Sequence, residues 1–287
     1  MKKNQRPTIS VIMSVRNEQR FIDEAIQSIL DQTYNNFEFI IIDDASTDTT
    51  LSIVDRYQSV DKRIVVLRNK ECQGALSKCL NKGIRQAKGC YIARMDGDDI
   101  AHRQRFEKQI CAMEKDSSCA LIGSWCHEID EKGVFIRSLC FPTEHRDLQK
   151  ALIKYNPFIH PSIMIRTDAL KKIGLYNERW ITGAEDYELY FRIVRHYSIM
   201  NLGEYLIAKR IRRQSITYQQ GFAMSRLALK TRIQTMRSGQ RPFDPVVIAR
   251  SILAILVPSP IKIFVKHTLA KLTRLHARTP IEIFWHQ

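Results

Sequence analysis

The sequence predicts an α/β fold in which a mostly parallel sheet is flanked by helices and followed by a basic helical extension. Three observations carry this expectation. β-Branched apolar runs alternate with segments of helical spacing through the first hundred residues. Those runs are apolar almost throughout, as strands buried on both faces must be. Of the formal net charge of +15, +9 lies beyond Gly221, where 11 Lys/Arg meet 2 Asp/Glu, so the basic excess belongs to the tail and not to the α/β core.

Each element follows in order. "TISVIMSV" (8–15) reads as a strand, and "EQRFIDEAIQSILDQ" (18–32) as a helix with Phe21, Ile22, Ala25, Ile26, Ile29 and Leu30 on one face. "FEFIIID" (37–43) is a continuous apolar strand; "STDTTLSIVDRYQ" then starts a helix that Ser46 or Thr47 could cap. "RIVVLR" (63–68), "GALSKCLNKGIRQAKG" (74–89) and "CYIARM" (90–95) add strand, helix and strand. Beyond residue 100 the rhythm loosens. "RQRFEKQICAMEK" (103–115) is helical, "CALIGSWCHEI" and "GVFIRSLCF" are strands joined at Asp130–Gly133, and "HRDLQKALIKY" is helical. "SIMI" (162–165) is a short strand, "TDALKKIG" a helix, and "AEDYELYFRIVRHY" (184–197) an amphipathic helix opening on acids.

Bulk composition narrows the class. A chain of 287 residues, 44% hydrophobic and 26% charged, makes one large domain or two small ones. The seven cysteines (72, 79, 90, 111, 119, 126, 140) form no C-x-x-C pair, which argues against a zinc site or a disulfide framework and for reduced thiols in a cytoplasmic setting. The basic start "MKKNQRPTISVIMSV" has too short an apolar run for a signal peptide. No apolar stretch approaches the ~20 residues that span a bilayer.

Open parallel sheets bind ligands past the carboxyl ends of their strands. Three polar clusters fall at such ends: Ser14–Glu18, Asp43-Asp44, and Asp96-Gly97-Asp98-Asp99. Taken alone, Asp43-Asp44-Ala45-Ser46-Thr47 fits an N-cap cluster equally well, and Asp96–Asp99 fits a solvated turn. Right-handed crossovers put all these ends on one edge, which favours a shared site. Carboxylate oxygens suit a hard divalent cation such as Mg²⁺ or Mn²⁺. Neither G-x-x-x-x-G-K-[ST] nor G-x-G-x-x-G after the first strand is present, so a nucleotide would be held by carboxylates, metal and side chains.

The stretch "TISVIMSVRNEQRFIDEAIQSILDQTYNNFEFIIIDDASTDTT" resembles the opening of the family 2 glycosyltransferases, nucleotide-sugar enzymes of the GT-A fold. "GALSKCLNKGI", "YIARMDGDDI", "NPFIHPSIMIRTDALKKIGLY" and "GAEDYELYFRI" continue the motif order, so the resemblance covers about residues 7–217. It implies a catalytic domain over 1–221, with a nucleotide-sugar half (about 7–100) and an acceptor half (101–221), and leaves 222–287 as the extension. It further implies that Ser14, Arg16 and Glu18 lie by the nucleotide, with Asp44 accepting a hydrogen bond from a uracil-type base. Lys78 and Asn81 would lie near the base and diphosphate. Asp96 and Asp98 form the D-x-D motif for ribose and metal, with Asp99 beside them, so that Asp96 falls to the nucleotide sugar and the metal to Asp98 or Asp99. Asp186 matches the general base and Glu185 precedes it; first-turn acids facing a helix dipole are the plain alternative.

His160 and Trp180 fall toward the acceptor side of the resemblance, although either fits the core as well. In "KRIRRQSIT" (209–217) Arg210 fits a diphosphate contact, while Arg212 stands where relatives carry a histidine metal ligand. The Gln-x-x-Arg-Trp motif of processive synthases is absent, so a single addition is expected. In the tail, Lys262, Lys266, Lys271 and Arg274 alternate with Ile263, Phe264, Val265 and Leu269. Residues 245–278 therefore suit a helix on an anionic membrane surface or a helical pair packed on the domain. The expectation is a metal-dependent inverting transferase at the inner face of the cytoplasmic membrane, moving one sugar from a UDP-type donor to a glycan or lipid-linked acceptor. The setting implied is bacterial polysaccharide or lipopolysaccharide assembly. A nucleotidyltransferase would need a glycine-rich loop after the first strand, and a nucleic-acid binder an aromatic platform among its basic residues; the sequence has neither.

Overall fold

The computed structural model describes residues 7–179 and 183–212, with scattered positions between 226 and 252. Trp180 and the basic tail at 245–278 lie essentially outside the described residues. The first half alternates as the sequence predicts: β1 (Ile9–Val15), α1 (Ile22–Leu30), β2 (Phe37–Asp43), α2 (Thr50–Val60), β3 (Ile64–Arg68), α3 (Leu76–Gln86) and β4 (Tyr91–Asp96). Strands β3, β2, β1 and β4 are neighbours in that order and parallel throughout.

The second half is mixed. It comprises β5 (Ile100–Ala101), α4 (Arg105–Lys115), β6 (Cys119–Ile129), β7 (Phe135–Leu139), α5 (His145–Lys154), a 3-10 turn at His160–Ser162, β8 (Met164–Arg166), α6 (Thr167–Ile173), α7 (Glu185–Ile193) and β9 (Ser198–Arg210). The sheet continues β4-β8-β6-β9-β5, with β7 hairpinned onto β6. β8 runs antiparallel to β4 and β6, while β9 runs parallel to β6.

Strand alternation divides the interior into two layers. Ile9, Val11, Met13 and Val15 of β1 face a core with Ile22, Ile26 and Ile29 of α1, Val54 of α2 and Phe106 of α4. Ile12, Ile40, Ile42 and Ile92 face the other, with Leu80 and Ile84 of α3, Leu148 of α5, Leu170 of α6 and Tyr187 of α7. Each fully buried Ile, Leu or Phe contributes roughly 1.5–3 kcal/mol relative to exposure. Two such layers hold the β1, β2 and β4 ends rigidly side by side. Among the described residues, no helix is long and apolar enough to cross a membrane.

Candidate functional site

The register places the three polar clusters together. Val15 pairs with Asp43, and Ser14 with Asp96, so β2, β1 and β4 end along one line. Asn17 and Ala45 follow β1 and β2 with φ of 56° each. The two loops clasp: the Thr47 N–H donates to Asn17 Oδ1 at 2.8 Å, and the Asn17 N–H to Ser46 Oγ at 3.2 Å. Ser46 and Thr47 are therefore used between loops and do not cap α2, which begins at Thr50. Thr50 Oγ1 accepts the Glu18 N–H at 2.7 Å.

Asp44 follows the end of β2. It is buried, and its carboxylate accepts from Asn69 Nδ2 at 2.8 Å, from the Gln73 N–H at 2.9 Å and from the Cys72 thiol at 3.3 Å. Burial opposes its ionisation, but these donors outweigh that and hold the carboxyl below its ordinary range. Arg16 is exposed and donates to Cys72 Sγ; Lys78 donates to the Gln73 carbonyl at 3.4 Å. Ser14 is half-buried one residue before the end of β1.

Asn81 does not join this group. It is buried, its Nδ2 donates to the Tyr176 carbonyl at 2.8 Å and to Glu178 at 2.9 Å, and its Oδ1 accepts the Tyr176 N–H at 3.0 Å. Its amide ties α3 to the 176–178 loop. Arg210 is also turned away from a ligand. Its guanidinium meets Glu24 at 2.5 Å and the Asp98 and Asp130 carbonyls at 2.9 and 3.1 Å, over the Phe21 ring. With those partners the buried guanidinium braces the acidic turn.

The turn after β4 gathers three carboxylates that could hold a metal ion. Ligating oxygens of Asp96, Asp98 and Asp99 all lie within 4.8 Å of one another. Gly97 is required there: a Cβ would lie 2.8 Å from Val15 Cγ1. Arg94 pairs with Asp96, and Arg212 reaches Asp98 at 2.7 Å and Glu18 at 2.8 Å. Asp99 is buried; its Oδ1 accepts the Arg210 N–H at 2.8 Å, while its Oδ2 is buried without a partner. Burial, then the charge of Asp98, pushes the Asp99 carboxyl well above its ordinary range. Burial also raises Asp98, with Asp96 adding to it, and raises Glu18 to about 7. A set of clustered carboxylate oxygens with a buried oxygen left unpartnered fits a hard divalent cation. Asp96 and Asp98 are half-buried, while Asp99 ties β9 to the turn through Oδ1 and keeps Oδ2 unpartnered.

The second carboxylate pair opens α7. Ala184 caps it in the left-handed region (φ 62°). Asp186 is half-buried, with Oδ2 accepting from Asn156 Nδ2 at 2.8 Å and Oδ1 from the Tyr187 N–H at 2.7 Å. Burial raises its carboxyl; burial and the neighbouring Asp186 push Glu185 up to about 7. His160 Nε2 meets the Tyr176 hydroxyl at 2.9 Å, and burial holds the ring neutral. Arg94 links the two halves. It is buried on β4, pairs with Asp96, acts by its charge on both Glu185 and Asp186, and leaves Nε and Nη1 unpartnered.

Comparisons with known proteins give the family and the fold. The family model described as Glycosyl transferase family 2 matches residues 10–174. The chain belongs to glycosyl transferase family 2. An O-antigen biosynthesis glycosyltransferase of Escherichia coli, WbnJ, is 34% identical over 211 residues, covering 72% of this chain and 81% of that protein. Among solved structures, residues 1–349 of TarS from S. aureus, in complex with UDP-GlcNAc, superpose with a TM-score of 0.65 at 19% identity, covering 86% of this chain and 70% of that one. The mannosyltransferase PcManGT from Pyrobaculum calidifontis, in complex with GDP-Man and Mn²⁺, superposes at 0.61 and 16% identity over 93% of this chain and 81% of that one. The fold is thus the GT-A fold, and this family 2 chain is a glycosyltransferase. Sequence reasoning missed Arg94, Asn156 and the pairing of Arg212. Only Arg94 carried a signal, a lone cation inside the apolar run "YIARM".

Proposed function

We infer that this glycosyltransferase moves a single sugar from a UDP-type donor to a glycan or lipid-linked acceptor, with inversion at the anomeric carbon. The observation that carries the reading is the convergence of Asp44 and the Asp96–Asp99 turn on one sheet edge. Arg16, Asp44 and the Gln73–Lys78 segment receive the nucleoside. Mg²⁺ or Mn²⁺ held by Asp98 and Asp96 would supply neutralisation of the leaving diphosphate. Asp186, oriented by Asn156 and the Tyr187 N–H, takes the acceptor hydroxyl proton on the face opposite the diphosphate. Glu185, His160 and Tyr176 shape the acceptor side. WbnJ, named for O-antigen biosynthesis, supports a place in surface polysaccharide assembly. The basic tail would hold the enzyme at an anionic inner membrane face, which co-sedimentation with phosphatidylglycerol vesicles at low salt tests; no co-sedimentation would remove that part.

A panel of nucleotide sugars scored for nucleoside diphosphate release tests the activity. Release from a UDP-sugar with Mn²⁺ that stops with chelator is expected. Release that persists unchanged with chelator, or none from any donor, would contradict the reading.

A further inference from the structure

Arg212 follows β9 by two residues, and its guanidinium spans two acids from different strand ends. One nitrogen, Nη2, donates to Asp98 Oδ2 at 2.7 Å and to Glu18 Oε1 at 2.8 Å. The side chain is only 16% exposed, with the Phe21 ring 5.3 Å beneath the guanidinium. Its Nε is buried without a partner, as are Glu18 Oε2 and Asp99 Oδ2. A cation already rests on Asp98 of the turn and on Glu18, while polar atoms around it remain incompletely paired.

This arrangement bears on the divalent ion that the turn suits. Asp96 is paired with Arg94, and Asp98 with Arg212. An ion arriving at Asp98 meets a fixed guanidinium at contact distance in a poorly hydrated pocket, where like charges repel strongly. A diphosphate reverses the balance, because its several negative charges accommodate a divalent ion and a guanidinium together. Planar guanidinium N–H groups also suit phosphate oxygens.

We propose that Arg212 makes divalent-metal binding conditional on the donor's diphosphate: it holds Asp98 and Glu18 in the free protein and shifts to the diphosphate when metal and nucleotide enter together. The diphosphate part rests on the donor-site reading above; the opposition between Arg212 and metal does not. If Arg212 instead merely oriented Asp98 as an outer-shell partner of the metal, its removal would weaken metal binding. The two roles predict opposite signs.

The test is Mn²⁺ binding to the full chain, read by the free-Mn²⁺ paramagnetic resonance signal, with and without UDP. Wild type is compared with Arg212→Gln, with Arg212→Lys and with Arg20→Gln, which removes an exposed pair with Glu131 and a neighbouring cation over Phe21 but leaves the Asp98 and Glu18 contacts of Arg212 in place. Arg212→Gln should bind Mn²⁺ about tenfold more tightly without nucleotide, and the gain in Mn²⁺ affinity brought by UDP should shrink by about the same factor, since linkage is reciprocal. Arg212→Lys, which keeps the charge, should stay near wild type, as should Arg20→Gln, and thermal unfolding of each variant identifies any that misfolds. Mn²⁺ affinity in Arg212→Gln equal to or below wild type without nucleotide would overturn the proposal. UDP binding to none of the proteins would contradict the donor-site reading, while the nucleotide-free comparison would still decide whether Arg212 opposes the metal.

Discussion

Replacing Asp186 by Asn separates catalysis from folding. The Asp186 carboxylate accepts two hydrogen bonds, from Asn156 Nδ2 at 2.8 Å and the Tyr187 N–H at 2.7 Å. An Asn keeps the second through its Oδ1, but its amide faces the Asn156 amide and loses the first. Hydrogen bonds to a charged group contribute about 1.5–3 kcal/mol. A neutral side chain also escapes the cost of holding a charge in a pocket that already raises its carboxyl, so the net stability change should stay within about 1 kcal/mol of zero. The catalytic loss is far larger. Proton removal by a positioned base contributes about 10²–10⁴ in rate, or about 3–5 kcal/mol of barrier. Sugar transfer by Asp186→Asn should therefore fall by that factor, with UDP affinity and unfolding temperature nearly unchanged. The assay pairs initial transfer rates with equilibrium UDP binding and a thermal melt. Near-normal turnover would refute the base assignment; a loss matched by lost UDP binding would refute its separation from the donor site.

Three further outcomes follow from the same geometry. Glu185 is raised from 4.5 to about 7, so the native state binds more protons than the unfolded chain between those values, and the stability from the protonated form is lost as pH rises through 7. Glu185→Gln should melt higher than wild type at alkaline pH and no higher at acidic pH; a pH-independent difference would contradict this. Gly97→Ala drives a Cβ to 2.8 Å from Val15 Cγ1 and should cost about 1–3 kcal/mol, measured by denaturant unfolding, with weaker UDP and Mn²⁺ binding; unaltered stability would show that the turn yields. Asn81→Ala removes the tie to Tyr176 and Glu178 and should destabilise by about 1–3 kcal/mol without changing UDP affinity, whereas weakened UDP binding in a protein of normal stability would restore Asn81 to the nucleotide set.

What was legible in the sequence was whatever depended on burial pattern. β2 spans Phe37–Asp43 as read, and every one of its residues is buried, so no solvent-facing side chain blurs the run. The convergence of Asp44 and Asp96 followed from topology alone. β9 was not legible: "SIMNLGEYLIAKR" is interrupted by Gly203-Glu204, exposed positions inside the strand, and its register with β6 shifts at Trp125. Long-range charge pairing was equally hidden. Arg210 and Arg212 are two residues apart, and nothing in the sequence tells which acids each will meet: one ends on Glu24 beneath the turn and the other on Asp98 and Glu18. Asn81 reads as a polar residue on an amphipathic helix, and only the packing of α3 against residues 176–178 shows that its amide is already used.

The central claim is that one site on the β2-β1-β4 edge holds the nucleotide sugar beside Asp186. The most direct test is a crystal structure of the full chain with UDP and Mn²⁺. The account places the uracil against Asp44 and the Gln73–Lys78 segment, and the diphosphate with its metal at Asp96 and Asp98. UDP bound at any other surface, or at this edge with its diphosphate away from Asp96 and Asp98, would contradict it.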